Sequence, residues 1–362
     1  MHRGHAPRWL IHRMESLSKE IAWFIIDEYG SEEFLRRISN PYWFQALGCV
    51  LGFDWHSSGL TTVVTGVLKR VLSQENYGIK VAGGKGKVSL KTQSEVNEIG
   101  EDFNLSSSRI EELKYASRMC AKVDNVAIQA GYPLYHHTFF LGEKGDWSVV
   151  QQGMNVSDRT ARRYHWLSKD LESFVVEPHE AIVGDVTRPL VLNMTAREAE
   201  ENRKTCVDFV KENPSNIISS IKRISNPSSL DLWIQDQAEI ANIEGFSMPR
   251  NLNWEIFKRL YEFQPKNYEE LLSFKGVGPS VVRALALISE LIYGNQASWK
   301  DPVKYSFAFG GKDGVPRPID KREMDEAIRI LHDAVEQAKI DQKDKAQALK
   351  RLQKFIIVGS SI

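Results

Sequence analysis

The chain has 362 residues, which suits two or three modules rather than one small domain, because domains cluster near about 100–150 residues. Its 47 basic residues balance 47 acidic residues, which excludes a wholly basic nucleic-acid coat protein but not a local basic face. At 42% hydrophobic and 26% charged residues, the composition excludes an intrinsically disordered chain and allows a sizeable core.

Membrane spans and disulfide frameworks are not expected. The longest apolar stretches, such as Ala46–Phe53, are far shorter than the roughly 18–20 residues that cross a bilayer. Cys49, Cys120 and Cys206 are widely spaced and form no CxxC pair. We therefore expect free thiols in a reducing cytoplasm.

The first 75 residues are predicted to be helical, with buried helices at Tyr42–Phe53 and Leu60–Leu72. The next stretch, Gly83–Lys87, carries lysines and no acid, and we predict a mobile loop there. Lys85 and Lys87 of this loop are candidates for contact with a DNA backbone. Ser108 and Glu111 have the spacing of a capping box at the start of a further helix.

The centre of the chain changes to the pattern of β-strands. Leu134–Leu141 and Trp147–Gln151 are rich in aromatic and β-branched residues, and Gly142–Gly145 joins them as a hairpin. A helix is predicted at Thr160–Leu171. Shorter strands are predicted at Phe174–Glu177, Ala181–Val183 and Leu190–Leu192. The fold class is therefore α+β, mostly α, with a small central sheet that is mixed or antiparallel.

Four segments follow from this organisation. Residues 1–75 form an N-terminal helical part, and residues 76–212 form a central α+β part with the candidate active site. Asn- and Pro-containing turns predict a linker region at 213–253. Residues 254–362 are predicted to form a C-terminal helical domain, whose last helix runs from Asp320 to about Lys354.

The most specific local pattern is Asn267–Tyr293, where a short helix, a glycine-containing turn and a second helix follow one another. Glycines allow a tight turn and close approach of a phosphate, and the amides at a helix start carry partial positive charge. The pattern resembles the helix-hairpin-helix motif of DNA-repair and replication proteins. That resemblance implies DNA as the partner, bound through its backbone. The candidate contact residues are Lys275, Gly276, Gly278 and Ser280.

A second group of polar residues lies on the predicted strands. Its candidate catalytic members are His136, His137, Gln151, Gln152 and Asn155. Imidazole titrates near neutral pH, and amides can donate to phosphate oxygens, so this set suits phosphodiester chemistry. Adjacent strand residues face opposite sides, so only one of the two histidines faces a given site.

Two other interpretations of this group stay open. It can be a buried set of structural hydrogen bonds, or a divalent-metal site. The metal interpretation takes its ligands from His136 or His137, His165, Glu177 and His179.

Part of the group is similar to the phospholipase-D-like superfamily of phosphodiesterases. The order of a histidine, Asp146, and Gly153 followed by Asn155 resembles that family's pattern. The resemblance implies a histidine nucleophile that attacks phosphorus. The family's phosphate-binding lysine has no counterpart here, so a cation such as Arg162, Arg163 or Lys85 would have to replace it.

Asp301 is the third candidate. It follows Gly278 at an interval similar to that of the catalytic Asp in helix-hairpin-helix DNA glycosylases. The resemblance implies a carboxylate that stabilises a sugar cation or activates a water. The alternative is an Asp that caps a turn before Pro302.

Over nearly its full length the chain resembles an archaeal family that has a domain-of-unknown-function label. The stretches that resemble it include Pro41–Ala46, Tyr135–His137, Val150–Asn155, Ala161–Leu167 and Trp299–Pro302. The resemblance implies an archaeal-type cytoplasmic protein that acts in DNA repair. We therefore predict a DNA-binding repair or processing enzyme, a phosphodiesterase or nuclease. The alternatives are a DNA glycosylase and a non-catalytic DNA-binding repair factor.

Overall fold

A computed structural model describes residues 8–53, 59–74, 76–169, 171–184, 186–225, 248–249, 252–304 and 321–360. Its helices are α1 (Arg8–Tyr29), α2 (Ser31–Ser39), α3 (Pro41–Leu51), α4 (Leu60–Gln74), α5 (Thr92–Asp102), α6 (Ser107–Lys122), α7 (Glu200–Val210), α8 (Pro214–Ser225), α9 (Glu255–Phe263), α10 (Tyr268–Ser273), α11 (Pro279–Tyr293), α12 (Lys321–Gln337) and α13 (Gln342–Ser360). Its strands are β1 (Ile79–Lys85), β2 (Ile128–Gln129), β3 (Leu134–Gly142), β4 (Trp147–Asn155), β5 (Thr160–Leu167), β6 (Ala181–Gly184) and β7 (Leu192–Asn193). Short 3₁₀ turns span Gly86–Lys91 and Arg197–Ala199, and a π-helical turn spans Val123–Ala127.

The main sheet has the strand order β1-β3-β4-β5-β6, and every pairing in it is antiparallel. β2 and β7 form a separate antiparallel pair. The β3–β4 hairpin closes as its sequence predicts, because the Gly145 amide donates to the Gly142 carbonyl at 2.9 Å. The predicted α+β class, mostly helical with a small sheet, is confirmed, and the described sheet is antiparallel rather than mixed.

The sheet is buried on both faces, and a hydrophobic core lies on each. In the first core, α1–α4, α12 and α13 cover the face that carries Phe140 and Val150. In the second core, α5–α11 cover the face that carries Phe139 and Val149. Neighbouring residues of one strand therefore enter different cores, which explains why β3 and β4 are apolar on both faces.

The C-terminal segment 254–362 contributes to both cores. α9–α11 pack into the second core, whereas α12 and α13 pack beside α1–α4 in the first. The division of the chain into four segments therefore stays a prediction. Residues 226–247 of the predicted linker, and Asp320 at the predicted start of the last helix, lie outside the described residues.

The loop predicted at Gly83–Lys87 is wrong, because β1 continues to Lys85 and pairs with β3 along its whole length. The glycines serve this pairing. Gly83 has a φ of +84°, and a Cβ at this position would lie 2.3 Å from the His137 carbonyl oxygen. Most of this lysine- and glycine-rich segment thus belongs to an edge strand of the sheet. Its last two residues, Gly86 and Lys87, begin the 3₁₀ turn that follows.

The helix predicted at Thr160–Leu171 is also wrong, because Thr160–Leu167 forms β5 between β4 and β6. Its residues alternate between the two cores, so tertiary packing overrides the local helical pattern. The strand predicted at Phe174–Glu177 is a series of bends, and Glu177 has a φ of +43°, which an extended strand cannot contain. The strand predicted at Ala181–Val183 is present as β6, but at Leu190–Leu192 only Leu192 is in a strand.

Two helix ends differ from their predictions. Ser106, not Ser108, caps α6 by accepting a hydrogen bond from the Arg109 amide at 3.2 Å. The last predicted helix is divided into α12 and α13, because the Lys339 amide donates to the Glu20 carboxylate of α1 at 2.8 Å instead of continuing the helix.

Cys49, Cys120 and Cys206 are all buried and form no disulfide. None of the described helices is both long enough and apolar enough to cross a membrane.

Candidate functional site

A cleft of about 790 Å³ opens at the edge of the sheet, beside the start of β3. Its walls come from the 3₁₀ turn after β1, the start of α5, α6 with its π-helical turn, and the end of α10. The cationic residues Arg118, Lys122 and Lys275 line it, and among the described residues no Asp or Glu does. The electrostatics of this cleft therefore favour an anion.

Both predicted histidines belong to the wall of the cleft, but their rings point to opposite faces of β3, as strand geometry requires. The His136 ring lies 3.0 Å from the Thr65 hydroxyl of α4, and the His137 ring lies 2.9 Å from the Ser117 hydroxyl of α6. Burial lowers the pKa of His136 to about 3, with smaller contributions from the charges of His137 and Lys85. His136 is therefore neutral under ordinary conditions.

His137 begins a buried chain of hydrogen bonds. Its Nδ1 lies 2.7 Å from Oε1 of Gln151, whose amide nitrogen donates to the Cys120 carbonyl at 2.9 Å and to the Asp124 carboxylate. Since that nitrogen is the donor, Oε1 must accept, and Nδ1 of His137 must hold the proton. Nε2 then presents a lone pair to the Ser117 hydroxyl. Burial also lowers the pKa of His137, which keeps this ring neutral.

Asp124 ends this chain in the π-helical turn after α6. Its carboxylate is buried and accepts hydrogen bonds from Gln151, from the Trp166 indole at 3.0 Å, and from His179. A buried carboxylate needs several donors, and here each comes from a different element. The π-helical turn widens the helix and directs Asp124 inward, while Asn125 and Val126 of the same turn line the cleft.

The glycine loop, Phe274–Gly278, joins α10 to α11 at the rim of the cleft. Gly276 has a φ of +106°, and a Cβ there would lie 2.8 Å from Cδ1 of Ile256, so this position requires glycine. Val277 anchors the loop in the second core. Around Gly278, by contrast, the position of a Cβ is open space. The predicted contact residues Lys275, Gly276 and Ser280 are exposed.

One contact links the cleft to the glycine loop, and two more hold the start of α11 beside it. The Lys122 ammonium donates to the Phe274 carbonyl at 3.4 Å. The Gln129 amide donates to the Pro279 carbonyl at 2.8 Å, and Gln129 accepts in turn from Arg283 at 2.9 Å. Two patterns that lie far apart in the sequence, the histidine pair and the glycine loop, therefore share one surface.

Lys85 and Lys87 are exposed beside this surface. The Lys85 ammonium lies 5.9 Å from the ring centre of Tyr135, a residue that lines the cleft. Lys85 is thus close to the candidate anion site, although it ends a strand instead of belonging to a loop.

Four other predicted residues are not part of the cleft lining. The Gln152 amide donates to the Tyr135 hydroxyl, and Asn155 accepts from the Ser157 amide at 3.0 Å in the turn after β4. Arg163 stacks over Phe44 at 4.8 Å in the first core. Arg162 is fully buried. Their predicted roles in phosphate handling stay predictions.

Arg162 forms an ion pair with Asp301 at 2.7 Å, and the two side chains are 0% and 1% exposed. The same carboxylate oxygen of Asp301 accepts from the Arg188 amide at 2.7 Å, and its other oxygen accepts from the Val303 amide at 3.1 Å. This geometry corresponds to the turn-capping alternative. The catalytic role of Asp301 stays a prediction.

The predicted metal set is not assembled. His165 contacts Arg163 and the Ile38 carbonyl, His179 contacts Asp124, and Glu177 pairs with Arg197. In the part of the chain that the structure describes, no three His, Cys, Asp or Glu side chains come close enough to hold a metal ion.

Comparison with known families supplies one match. The model of the family DUF763, described as a protein of unknown function, matches residues 1–319. The chain belongs to this family. The matched residues include the cleft and the glycine loop, and they end just before α12. No curated protein and no solved structure matches the chain.

Four of the residues that α6 and its π-helical turn place in or beside the cleft were not predicted from the sequence: Ser117, Arg118, Lys122 and Asp124. A signal for two of them was present. Ser117 and Asp124 occur at positions of the buried helix face that also carries Leu113 and Cys120. A polar residue in such a place is more informative than an exposed one.

Proposed function

We propose that this protein binds DNA through its phosphate backbone and cleaves a phosphodiester bond in the cleft. The observation that supports this most directly is the charge of the lining: Arg118, Lys122 and Lys275 are present, and no described acid accompanies them. Burial lowers the pKa of Lys122, because the charged form loses hydration there. A bound phosphate would compensate for that loss.

The glycine loop supports DNA as the source of the phosphate. α11 starts with Pro279, so the amides of Ser280 and Val281 have no acceptor within the helix. The open space around Gly278 allows a phosphate to approach these amides and the positive end of the helix. The loop's resemblance to helix-hairpin-helix motifs supports a role in DNA repair or processing.

The neighbouring positions of loop and cleft suit a single DNA strand. Lys275 belongs to both, so a backbone that contacts the loop also passes the cleft. Such contacts do not read base identity, and we expect binding with little sequence preference.

The binding half of the proposal is tested by affinity at several salt concentrations. Lys122→Gln and Lys275→Gln should weaken binding to every sequence, and each should reduce the salt slope by about one unit. Lys350→Gln, which removes an exposed lysine of α13, is the matched control and should leave affinity unchanged. If Lys122→Gln and Lys275→Gln bind DNA as tightly as the Lys350→Gln control and the wild type, the cleft is not the DNA site.

The cleavage half is tested on labelled single-stranded, duplex, branched and damaged DNA, with and without magnesium or manganese. Strand breaks that appear directly support the phosphodiesterase. Breaks that appear only after alkali would replace it with the glycosylase alternative. DNA whose mobility in a gel is shifted but which stays uncleaved under every condition would support the non-catalytic DNA-binding factor instead.

A further inference from the structure

Ser117 and His137 form a hydrogen-bonded pair that was not predicted from the sequence. The Ser117 hydroxyl lies 2.9 Å from Nε2 of His137, and both residues line the cleft. We infer that Ser117 is the nucleophile that attacks the phosphodiester and that His137 is its general base. This inference rests on the proposed function, because it takes the phosphodiester in the cleft as substrate.

The direction of the hydrogen bonds supports this assignment. Nδ1 of His137 holds the proton that Gln151 accepts, so Nε2 is free to take the proton of Ser117. The Gln93 amide, 3.3 Å away, donates to the same serine oxygen and leaves the hydroxyl proton directed at the histidine. A nucleophile, a base and a group that orients the base are the elements of an activated serine.

Gln151 and Asp124 are positioning residues in this arrangement. Asp124 accepts from the amide of Gln151, whose oxygen then fixes the ring and its tautomer. The carboxylate thus acts on His137 through this intervening side chain and also through its charge, which opposes the effect of burial on the pKa of His137. All members of this chain are buried, so their geometry is set by packing before any substrate binds.

His136 provides an internal contrast. The Thr65 hydroxyl donates to the Thr61 carbonyl at 2.8 Å, so it can only accept from Nε2 of His136. His136 therefore has its proton on the nitrogen that faces the hydroxyl, and it cannot activate Thr65. Of the two neighbouring histidines, only His137 has the tautomer of a base toward its hydroxyl partner.

The reaction is balanced without any further reagent except water. Oγ of Ser117 bonds to phosphorus, its proton passes to Nε2 of His137, and the bond from phosphorus to the leaving sugar oxygen breaks. The imidazolium returns its proton to that oxygen, which leaves a phosphodiester between the DNA and Ser117. Water then attacks phosphorus, His137 takes its proton and gives it to Oγ as the serine leaves. The three cations of the lining stabilise the charge on the phosphoryl oxygens.

A fluorophosphonate probe tests the inference on the full chain, because it phosphonylates an activated serine and releases fluoride. We expect the label on Ser117 by peptide mass spectrometry. Ser117→Ala should lose it, and His137→Gln should slow it by about 10²-fold or more, the usual effect of removing a positioned base. Ser94→Ala, which removes an exposed hydroxyl of α5, should label like the wild type.

Mapping the label on the wild-type protein needs no variant, so the test holds even if a variant fails to fold. Wild-type protein without a label on Ser117, or a folded His137→Gln variant that labels at the wild-type rate, would overturn the inference. DNA affinity is measured on the same preparations. Absent labelling with intact DNA binding refutes the nucleophile alone, whereas labelling without DNA binding refutes the proposed function and keeps the activated serine.

Discussion

The substitution Asp301→Asn tests whether the carboxylate of Asp301 stabilises the fold or takes part in catalysis. In the structure, the Asp301 side chain is buried, and one of its oxygens accepts from both Arg162 and the Arg188 amide at 2.7 Å. The other oxygen accepts from the Val303 amide at 3.1 Å. An asparagine has one acceptor oxygen instead of two, so its amide nitrogen must face a donor on one side or the other.

The cost of this change follows from the burial of the partner. The Arg162 guanidinium is fully buried, and neither its Nε nor its Nη1 has a hydrogen-bond partner among the described residues. Besides Asp301, it stacks over the Tyr132 ring at 4.5 Å. Removing the carboxylate charge leaves a buried cation without its counterion, which typically costs about 3–5 kcal/mol of unfolding free energy.

Urea unfolding measures this cost directly. The matched control is Asp102→Asn, which breaks a 2.7 Å ion pair with Lys80 at a side chain that is 60% exposed and should cost about 1 kcal/mol or less. If Asp301→Asn is destabilised no more than this control, the ion pair does not stabilise the fold as argued. A well-folded Asp301→Asn protein that loses base release would instead support the glycosylase alternative.

Four further substitutions test stability, and one of them also tests DNA binding. Gly276→Ala should lower the unfolding free energy by about 1–3 kcal/mol, because the residue has a φ of +106° and the terminal methyl group of Ile256 must move to admit a Cβ. Gly278→Ala should change the unfolding free energy by less than about 1 kcal/mol yet weaken DNA binding, and equal effects at both glycines would contradict the argument. His136 has a pKa of about 3 in the fold and near 6.5 when unfolded, so the unfolded chain binds more protons between these values. Its contribution is present above pH 6.5 and is lost toward pH 3, at up to about 1.4 kcal/mol per pH unit between the two pKa values. In urea unfolding at pH 7, 6 and 5, the stability of His136→Gln should fall less steeply than that of the wild type, by about 1 kcal/mol per pH unit, because this window includes the unfolded-state pKa. Asn40→Ala should cost about 1 kcal/mol in the same assay, because the Asn40 side chain caps α3 by accepting from the amides of Tyr42 and Trp43 at 3.0 Å.

Local patterns in the sequence predicted those parts of the fold that local interactions determine. The β3–β4 hairpin was found because its turn, Gly142–Gly145, lies between two runs of aromatic and β-branched residues. The position of this hairpin between β1 and β5 was not predicted, because the sequence patterns of those two segments predicted a loop and a helix. Gly83 and Gly84 look like a loop until their close approach to β3 is known, and Thr160–Leu167 becomes a strand only through its two neighbours.

The candidate site was predicted in part for the same reason. The spacing within one strand predicted that His136 and His137 diverge, and local turn chemistry pointed to Lys275 and its glycines. The hydroxyl partner of His137, Ser117, lies on α6, and nothing local in the sequence indicates which helix covers which face of a sheet. The contacts of Ser117 with His137 and of Asp124 with Gln151 can therefore be recognised only once the packing of the second core is known.

The net charge of the whole chain is zero, so it gives no indication of the cationic lining of the cleft. Acids on and near α5 and α6 are used in ion pairs elsewhere, as in Lys69–Glu95 at 2.6 Å and Lys114–Glu111 at 2.6 Å. The cations that remain in the cleft are few, so DNA binding should depend on about three phosphate contacts rather than on a broad basic surface. Three contacts correspond to a loss of affinity between 50 and 200 mM salt of about 20-fold for single-stranded DNA and about 40-fold for a duplex. A much steeper loss would mean that most of the contacts lie outside the cleft, and a flat response would mean that the cleft does not hold phosphate.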